Sequence, residues 1–133
     1  MDAQTTPADT LALAALVQTI AHLELEEGYQ PSRLIRADEV IHENRFLAAR
    51  DGMSAHFIDP VVDRRVPALE SLDHLLRAAS SHAQELGCED ALQHVVQMAH
   101  QTGASRQRRI AKAQGLAGVA SALADLFTAQ AQS

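Results

Sequence analysis

The sequence is poor in the residues that cross-link a chain or stack on a flat ligand. Cysteine occurs once, as Cys88, which excludes an internal disulfide and any thiolate metal cluster. Tryptophan is missing, and Tyr29, Phe46, Phe57 and Phe127 are the only aromatic residues, so there is little to stack on nucleic-acid bases. A net charge of −6 adds repulsion from a phosphate backbone. The longest uninterrupted apolar run, Leu11 to Val17, falls far short of the ~20 residues of a membrane-spanning helix, and no basic start precedes a secretory core. The expected setting is the cytosol. Equally missing are a glycine-rich phosphate loop, a Gly-x-Ser-x-Gly elbow and a His-x-x-x-His pair among the seven histidines. Neither a catalytic residue nor a metal ligand is therefore assigned from local spacing.

What is present favours helices. Of 133 residues 25 are alanine and 16 leucine, both strong helix formers, while β-branched residues are sparse outside two short stretches. A chain of this length fits one domain, so residues 1–133 are read as a single helical domain. Glycines 28, 52, 87, 103 and 115 divide it at helix-like intervals. Thr6 and Pro7 suit an N-cap and first turn, after which Leu13, Leu16, Val17, Ile20 and Leu23 recur at helical steps. That helix should end near Glu27, with solvent rather than Arg33 or Arg36 offsetting Glu24, Glu26 and Glu27 at its negative end.

A second helix is expected from Leu34 or Asp38 to Asp51, and a short hairpin from segments 54–58 and 63–66. Pro67 opens a third helix with Leu69, Leu72, Leu75, Leu76 and Ala79 inward, kinked at Ser80-Ser81. A fourth carries Leu92, Val95, Val96 and Ala99 on one stripe. Residues 105–114 form a short fifth, and Leu116, Val119, Ala120, Leu123, Leu126 and Phe127 mark the inner face of the last. The fold class is thus mostly α: five or six helices and one short β-hairpin at about 54–66.

Chemistry is sought where a polar residue interrupts an apolar stripe, because burying an amide without a partner costs ~1–3 kcal/mol. Asn44 has Val40, Ile41, Leu47 and Ala48 on its face, with Glu43 and Arg50 along the same edge. The trio is either an internal hydrogen-bond network fixing the following loop or the lining of a ligand pocket. Gln107, between Ala104, Ile110 and Ala111, also faces inward, and Arg106, Arg108, Arg109 and Lys112 make a cationic patch beside it. A solvated face is the default reading of such a run; a nucleotide phosphate or an acidic partner is the alternative. Cys88 reads as a small packed thiol.

The order of these pieces carries a resemblance. Asp2-x-Gln4-Thr5, the helix Leu11-Ala12-Leu13-Ala14-Ala15-Leu16-Val17, Glu43-Asn44-Arg45-Phe46-Leu47-Ala48-Ala49-Arg50-Asp51-Gly52-Met53, Val66-Pro67-Ala68, Ala83-Gln84-Glu85-Leu86-Gly87-Cys88-Glu89-Asp90 and Gly103-Ala104-Ser105-Arg106-Gln107-Arg108-Arg109 together resemble the C-terminal third of the type 2 glutamate–cysteine ligases, or carboxylate–amine ligases. Departures from the family pattern are Phe46 where it has Trp, Leu47 where it has a basic residue, and Asp51-Gly52-Met53-Ser54 where it has Tyr-Gly-Leu-Asp.

The resemblance implies a glutamine-synthetase-like fold, in which an antiparallel sheet forms a funnel for ATP, metal ions and a carboxylate that is phosphorylated and then attacked by an amine. It places Asp2, Gln4, Thr5, Asn44, Arg45, Arg50 and Arg106 near substrate or nucleotide, while Glu43 and Gln107 are read, from their helix positions, as a structural polar network. The sheet and its metal-holding carboxylates lie upstream in the family. This chain would then be a fragment or a split-enzyme component, not catalytic alone, that meets ATP and Mg²⁺ only when a sheet completes it. The alternative is a non-catalytic interaction or oligomerisation module derived from that family. Either implies an apolar surface that seeks cover, hence a homo-oligomer or a sheet-bearing partner.

Overall fold

A computed structural model describes residues 6–28, 38–59 and 64–130. The elements run α1 (Pro7–Glu27), α2 (Asp38–Asp51), a single 3₁₀ turn (Gly52–Ser54), β1 (His56–Asp59), β2 (Arg64–Pro67), α3 (Ala68–Glu85), α4 (Glu89–His100) and α5 (Gly103–Gln130). The chain is mostly α with one short hairpin, as its composition implies. It forms two compact units, with boundaries between Gln18 and Thr19 and between Gly87 and Cys88. One holds the first part of α1 with α4 and α5; the other holds the rest of α1, α2, the hairpin and α3.

In the first unit α1 begins as its sequence dictates. Thr6 Oγ1 accepts the Asp9 N–H at 3.1 Å, which satisfies one orphan donor of the first turn, and Pro7 follows where no N–H is needed. Thr102 does the same for α5, its Oγ1 accepting the Ser105 N–H at 3.2 Å. Gly103, which reads as the end of the fourth helix, is therefore the first residue of the fifth. At Gly115 the backbone leaves helical geometry (φ 75°, ψ 177°), splitting α5 at the point expected from the glycine. Leu92 and Val95 of α4 are buried. Val96, expected on their stripe, is 38% exposed.

The second unit is built on the hairpin. β1 and β2 pair antiparallel, His56 opposite Pro67 and Asp59 opposite Arg64. Val66 is fully buried, and Ala55, just before β1, accepts the first N–H of α3 at 2.9 Å. α3 runs unbroken through Ser80-Ser81. The expected kink does not break the helix there; Ser80 Oγ donates to the Arg77 carbonyl at 2.9 Å within α3. Gly87, with φ 64°, terminates the turn after α3.

The buried line of α1 also differs from the expected leucine stripe. Ala12, Ala15, Thr19 and Leu23 are buried, whereas Leu13, Leu16 and Ile20 are half-buried and Val17 is exposed. Small side chains let a neighbouring backbone approach closely, so close packing selects the alanine row over the bulkier one. By length and composition alone α1 is apolar enough to cross a membrane, although polar residues interrupt its apolar run after Val17. A core helix passes the same test, and the buried row here includes polar Thr19.

Among the described residues alanine dominates the interior: Ala12, Ala15, Ala55, Ala68, Ala79 and Ala83 are buried, with Leu23, Val66, Leu92 and Val95 as the larger apolar residues. On α3 Leu72, Leu75 and Leu76 are half-buried and Leu69 is exposed, instead of facing a closed core. On the last part of α5 Val119, Leu123 and Leu126 are half-buried, whereas Leu116 and Phe127 are exposed. The apolar faces exist, but what is described here covers them only in part.

Candidate functional site

Three polar assemblies stand out, each inside one unit. The first joins α2 to the hairpin. The Asn44 side chain donates from Nδ2 to the Ile58 carbonyl at 3.0 Å and accepts the Ile58 N–H on Oδ1 at 3.0 Å. One amide thus occupies both backbone groups of a residue on β1, as a neighbouring strand would. Glu43, one position earlier, pairs with Arg65 on β2. Arg64 pairs with Glu70 on α3 at 3.1 Å. No residue of α2 is fully buried, so these polar ties carry much of its attachment.

Arg50 does not join that network. Its guanidinium grips Asp51 with two bonds, Nε to Oδ1 at 2.9 Å and Nη2 to Oδ2 at 2.7 Å, and lies 5.3 Å from the centre of the Phe46 ring. The two charges stabilise one another: the hydrogen bond to Asp51 raises the guanidinium pKa further, and Arg50 holds the Asp51 carboxyl below its ordinary value of 3.8. Arg45 is exposed on the same helix. Asn44 and Glu43 therefore tie α2 to the hairpin, while Arg50 pairs with Asp51 beside Phe46.

The second assembly lies at the start of α1. Asp9, its side chain 5% exposed, receives His94 Nε2 on Oδ1 at 2.9 Å and has Arg106 Nη1 4.0 Å from Oδ2. Arg106, expected to reach phosphate by resemblance, is half-buried and turned to an internal carboxylate. Gln107 is half-buried in the same unit, and Glu43 belongs to the other. Asp2, Gln4 and Thr5 lie outside the described residues.

The third assembly escaped the sequence analysis. His22 on α1 and His82 on α3 meet with Nδ1 atoms 2.9 Å apart and ring centres 5.1 Å apart. His82 Nε2 contacts Glu27 Oε1 at 3.0 Å. Glu27 thus meets a histidine where solvent alone was expected to offset the acidic end of α1, while Arg33 and Arg36 lie outside the described residues. Glu85, one turn after His82, completes a group of three possible ligand side chains whose ligand atoms lie within 4.8 Å of one another. The partners are 60 residues apart in sequence, so no local spacing announces them; the only local trace is the His-x-x-Glu step from His82 to Glu85.

A sequence profile of glutamate-cysteine ligase family 2 matches residues 1–125. The chain belongs to glutamate-cysteine ligase family 2. Relatives carrying the glutamate–cysteine ligase 2 name include one from Gloeobacter violaceus, 38% identical over 82% of this chain and 30% of its own length. Another, from Rubrobacter xylanophilus, is 36% identical over 86% of this chain and 30% of its own length. A third, from Saccharopolyspora erythraea, is 33% identical over 92% of this chain and 32% of its own length. The chain therefore spans about a third of the length of the curated family members it matches. No solved structure matches it.

Donor chemistry limits which ion the described residues suit. Magnesium takes oxygen ligands. Among the described residues the one grouped ligand set is two imidazoles and a carboxylate, and Asp9, Glu43 and Asp51 are each engaged by a basic side chain. Among the described residues no group of three carboxylates gathers around one point.

Proposed function

We propose that this chain is the helical C-terminal portion of an ATP-dependent carboxylate–amine ligase of the glutamate–cysteine type, present as a fragment or as one component of a split enzyme. The observation that carries the reading is the disparity in length: a match along nearly the whole chain covers about 30% of the relatives. Phosphoryl transfer depends on metal clamps and oriented donors, which the described carboxylates do not assemble. On this reading ATP, Mg²⁺ and the acid bind a sheet supplied by another polypeptide segment. The exposed large apolar side chains, Leu25, Phe46 and Leu116 among them, are what such a segment, or a second copy of the chain, would close over.

Calorimetry tests it. ATP with Mg²⁺ titrated into the isolated chain should give no binding heat, and a mixture with the sheet-bearing remainder of a family member should give saturable binding. Turnover of glutamate, an amine and ATP by the isolated chain overturns the reading. Silence from both chain and mixture favours a non-catalytic interaction module instead.

A further inference from the structure

The histidine pair joining α1 to α3 is not used by the proposed ligase reading. Two Nδ1 atoms at 2.9 Å form a hydrogen bond only if one carries a proton and the other a lone pair. Glu27 decides which. Its carboxylate lies on Nε2 of His82 and so takes the N–H of that nitrogen, leaving the His82 lone pair on Nδ1, aimed at His22. A carboxylate behind one ring nitrogen, with the other presented to a common point, is the outer-sphere arrangement of metal-bound histidines. His82 itself is 4% exposed and cannot reorient freely.

From this geometry we infer that His22, His82 and Glu85 form a binding site for a zinc-type divalent transition metal, with Nδ1 of each histidine and a Glu85 carboxylate oxygen as ligands and Glu27 as the orienting carboxylate. Two imidazoles and a carboxylate are a ligand set of zinc sites that leave a fourth position for water, and imidazole selects zinc, copper or nickel over magnesium. The required adjustment is small. In a tetrahedral site with metal–nitrogen bonds of about 2.0–2.1 Å the two nitrogens stand roughly 3.3 Å apart, so the pair need open by only a few tenths of an ångström from 2.9 Å. Glu85 is exposed, so it can close the remaining distance by rotating its side chain. Metal entry at His22 needs the other tautomer of its neutral ring: the proton leaves Nδ1 and one is taken up from solvent at Nε2, so that Nδ1 presents its lone pair to the ion. Bound there, the ion ties the end of α1 to the end of α3.

The test uses the whole 133-residue chain without a histidine tag. Zn²⁺ titrated into metal-free protein should bind one to one and raise Tm, and Co²⁺ in its place should give the intense visible bands of a four-coordinate site. Because His82 is buried and its replacement endangers the fold, the decisive variants are His22→Gln and Glu85→Gln. Each should weaken zinc binding at least tenfold and erase the cobalt bands, and Glu27→Gln should weaken it by about tenfold through the lost orienting contact. His100→Gln, on the exposed end of α4, should bind as the parent does. Zinc binding that survives unchanged in His22→Gln or in Glu85→Gln overturns the assignment, as does a parent chain whose Tm ignores stoichiometric zinc. These readouts do not involve ATP or ligase activity, so they stand apart from the proposed function.

Discussion

At the scale of single residues, two side chains on α2 illustrate how partner and exposure decide what a polar group is worth. Asn44 satisfies both backbone groups of Ile58. Asn44→Ala leaves a part-buried donor and acceptor without their partner, which costs ~1–3 kcal/mol and should lower Tm by about 3–10 °C in a chain of this size. Thermal melts followed by circular dichroism measure it; an unchanged melt would remove the clip from the account of the fold. Asp51 is the contrasting case. Its carboxyl is held below 3.8 by Arg50, and a lowered folded-state value means stability that is present above the unfolded value and lost as pH falls through the folded one. The pair is solvated and its members are adjacent in the chain, so the same contact forms in the unfolded state and the difference nearly vanishes. Asp51→Asn should therefore leave the Tm-against-pH curve within about a degree of the parent from neutrality down through the carboxylate range.

At the scale of elements, most boundaries were legible because single residues set them. Thr6 with Pro7 starts α1, Gly115 splits α5, and the turn after α2 falls at Gly52 with φ 58°. Asn44 was legible as an inward amide for a similar reason: its helical neighbours are apolar, so it needs a partner. Faces were less legible. Ala12, Ala15 and Thr19 form the buried row of α1 although Leu13 and Leu16 are more hydrophobic, because closeness of approach, which depends on the neighbouring element, outweighs hydrophobicity counted along one helix. The His22–His82 contact depends wholly on tertiary packing and left no periodic trace.

Gly115 offers the element-scale test. Its φ and ψ suit glycine alone, an alanine there costs ~1–3 kcal/mol if the break is kept, and nothing stands within 4 Å of the added methyl. Straightening avoids that strain and gains about 1 kcal/mol of helix propensity. Among the described residues of the segment beyond it none is buried, so little resists the change. Gly115→Ala should keep or raise the helical signal at 222 nm with a loss of stability under about 1 kcal/mol. A loss above about 2 kcal/mol would mean that packing holds the break.

At the scale of the whole molecule the question is what the uncovered apolar side chains are for. Leu116 is 85% exposed, Leu25 83% and Phe46 61%, while the fully buried apolar set is mostly alanine. Isolated exposed leucines are ordinary on soluble proteins. The unusual feature is that several of the largest apolar side chains are outside while alanine makes up most of the described interior, the pattern expected of a piece whose bulky residues meet another surface. Replacing all three by glutamine should then act differently in two settings. In the isolated chain these side chains bury little, and surface changes of this kind stay within about 0.5 kcal/mol each, so Tm should hardly move. In the complex with the sheet-bearing remainder, full burial of such a side chain is worth about 1.5–3 kcal/mol. Even half of that over three residues amounts to roughly 3 kcal/mol, about a hundredfold in affinity. The triple variant should thus keep the fold of the parent and fail to restore ATP binding at concentrations where the parent restores it. Equal restoration by both chains would place the covering surface elsewhere on the molecule, and a large fall in the Tm of the isolated variant would show that these residues already belong to its own core.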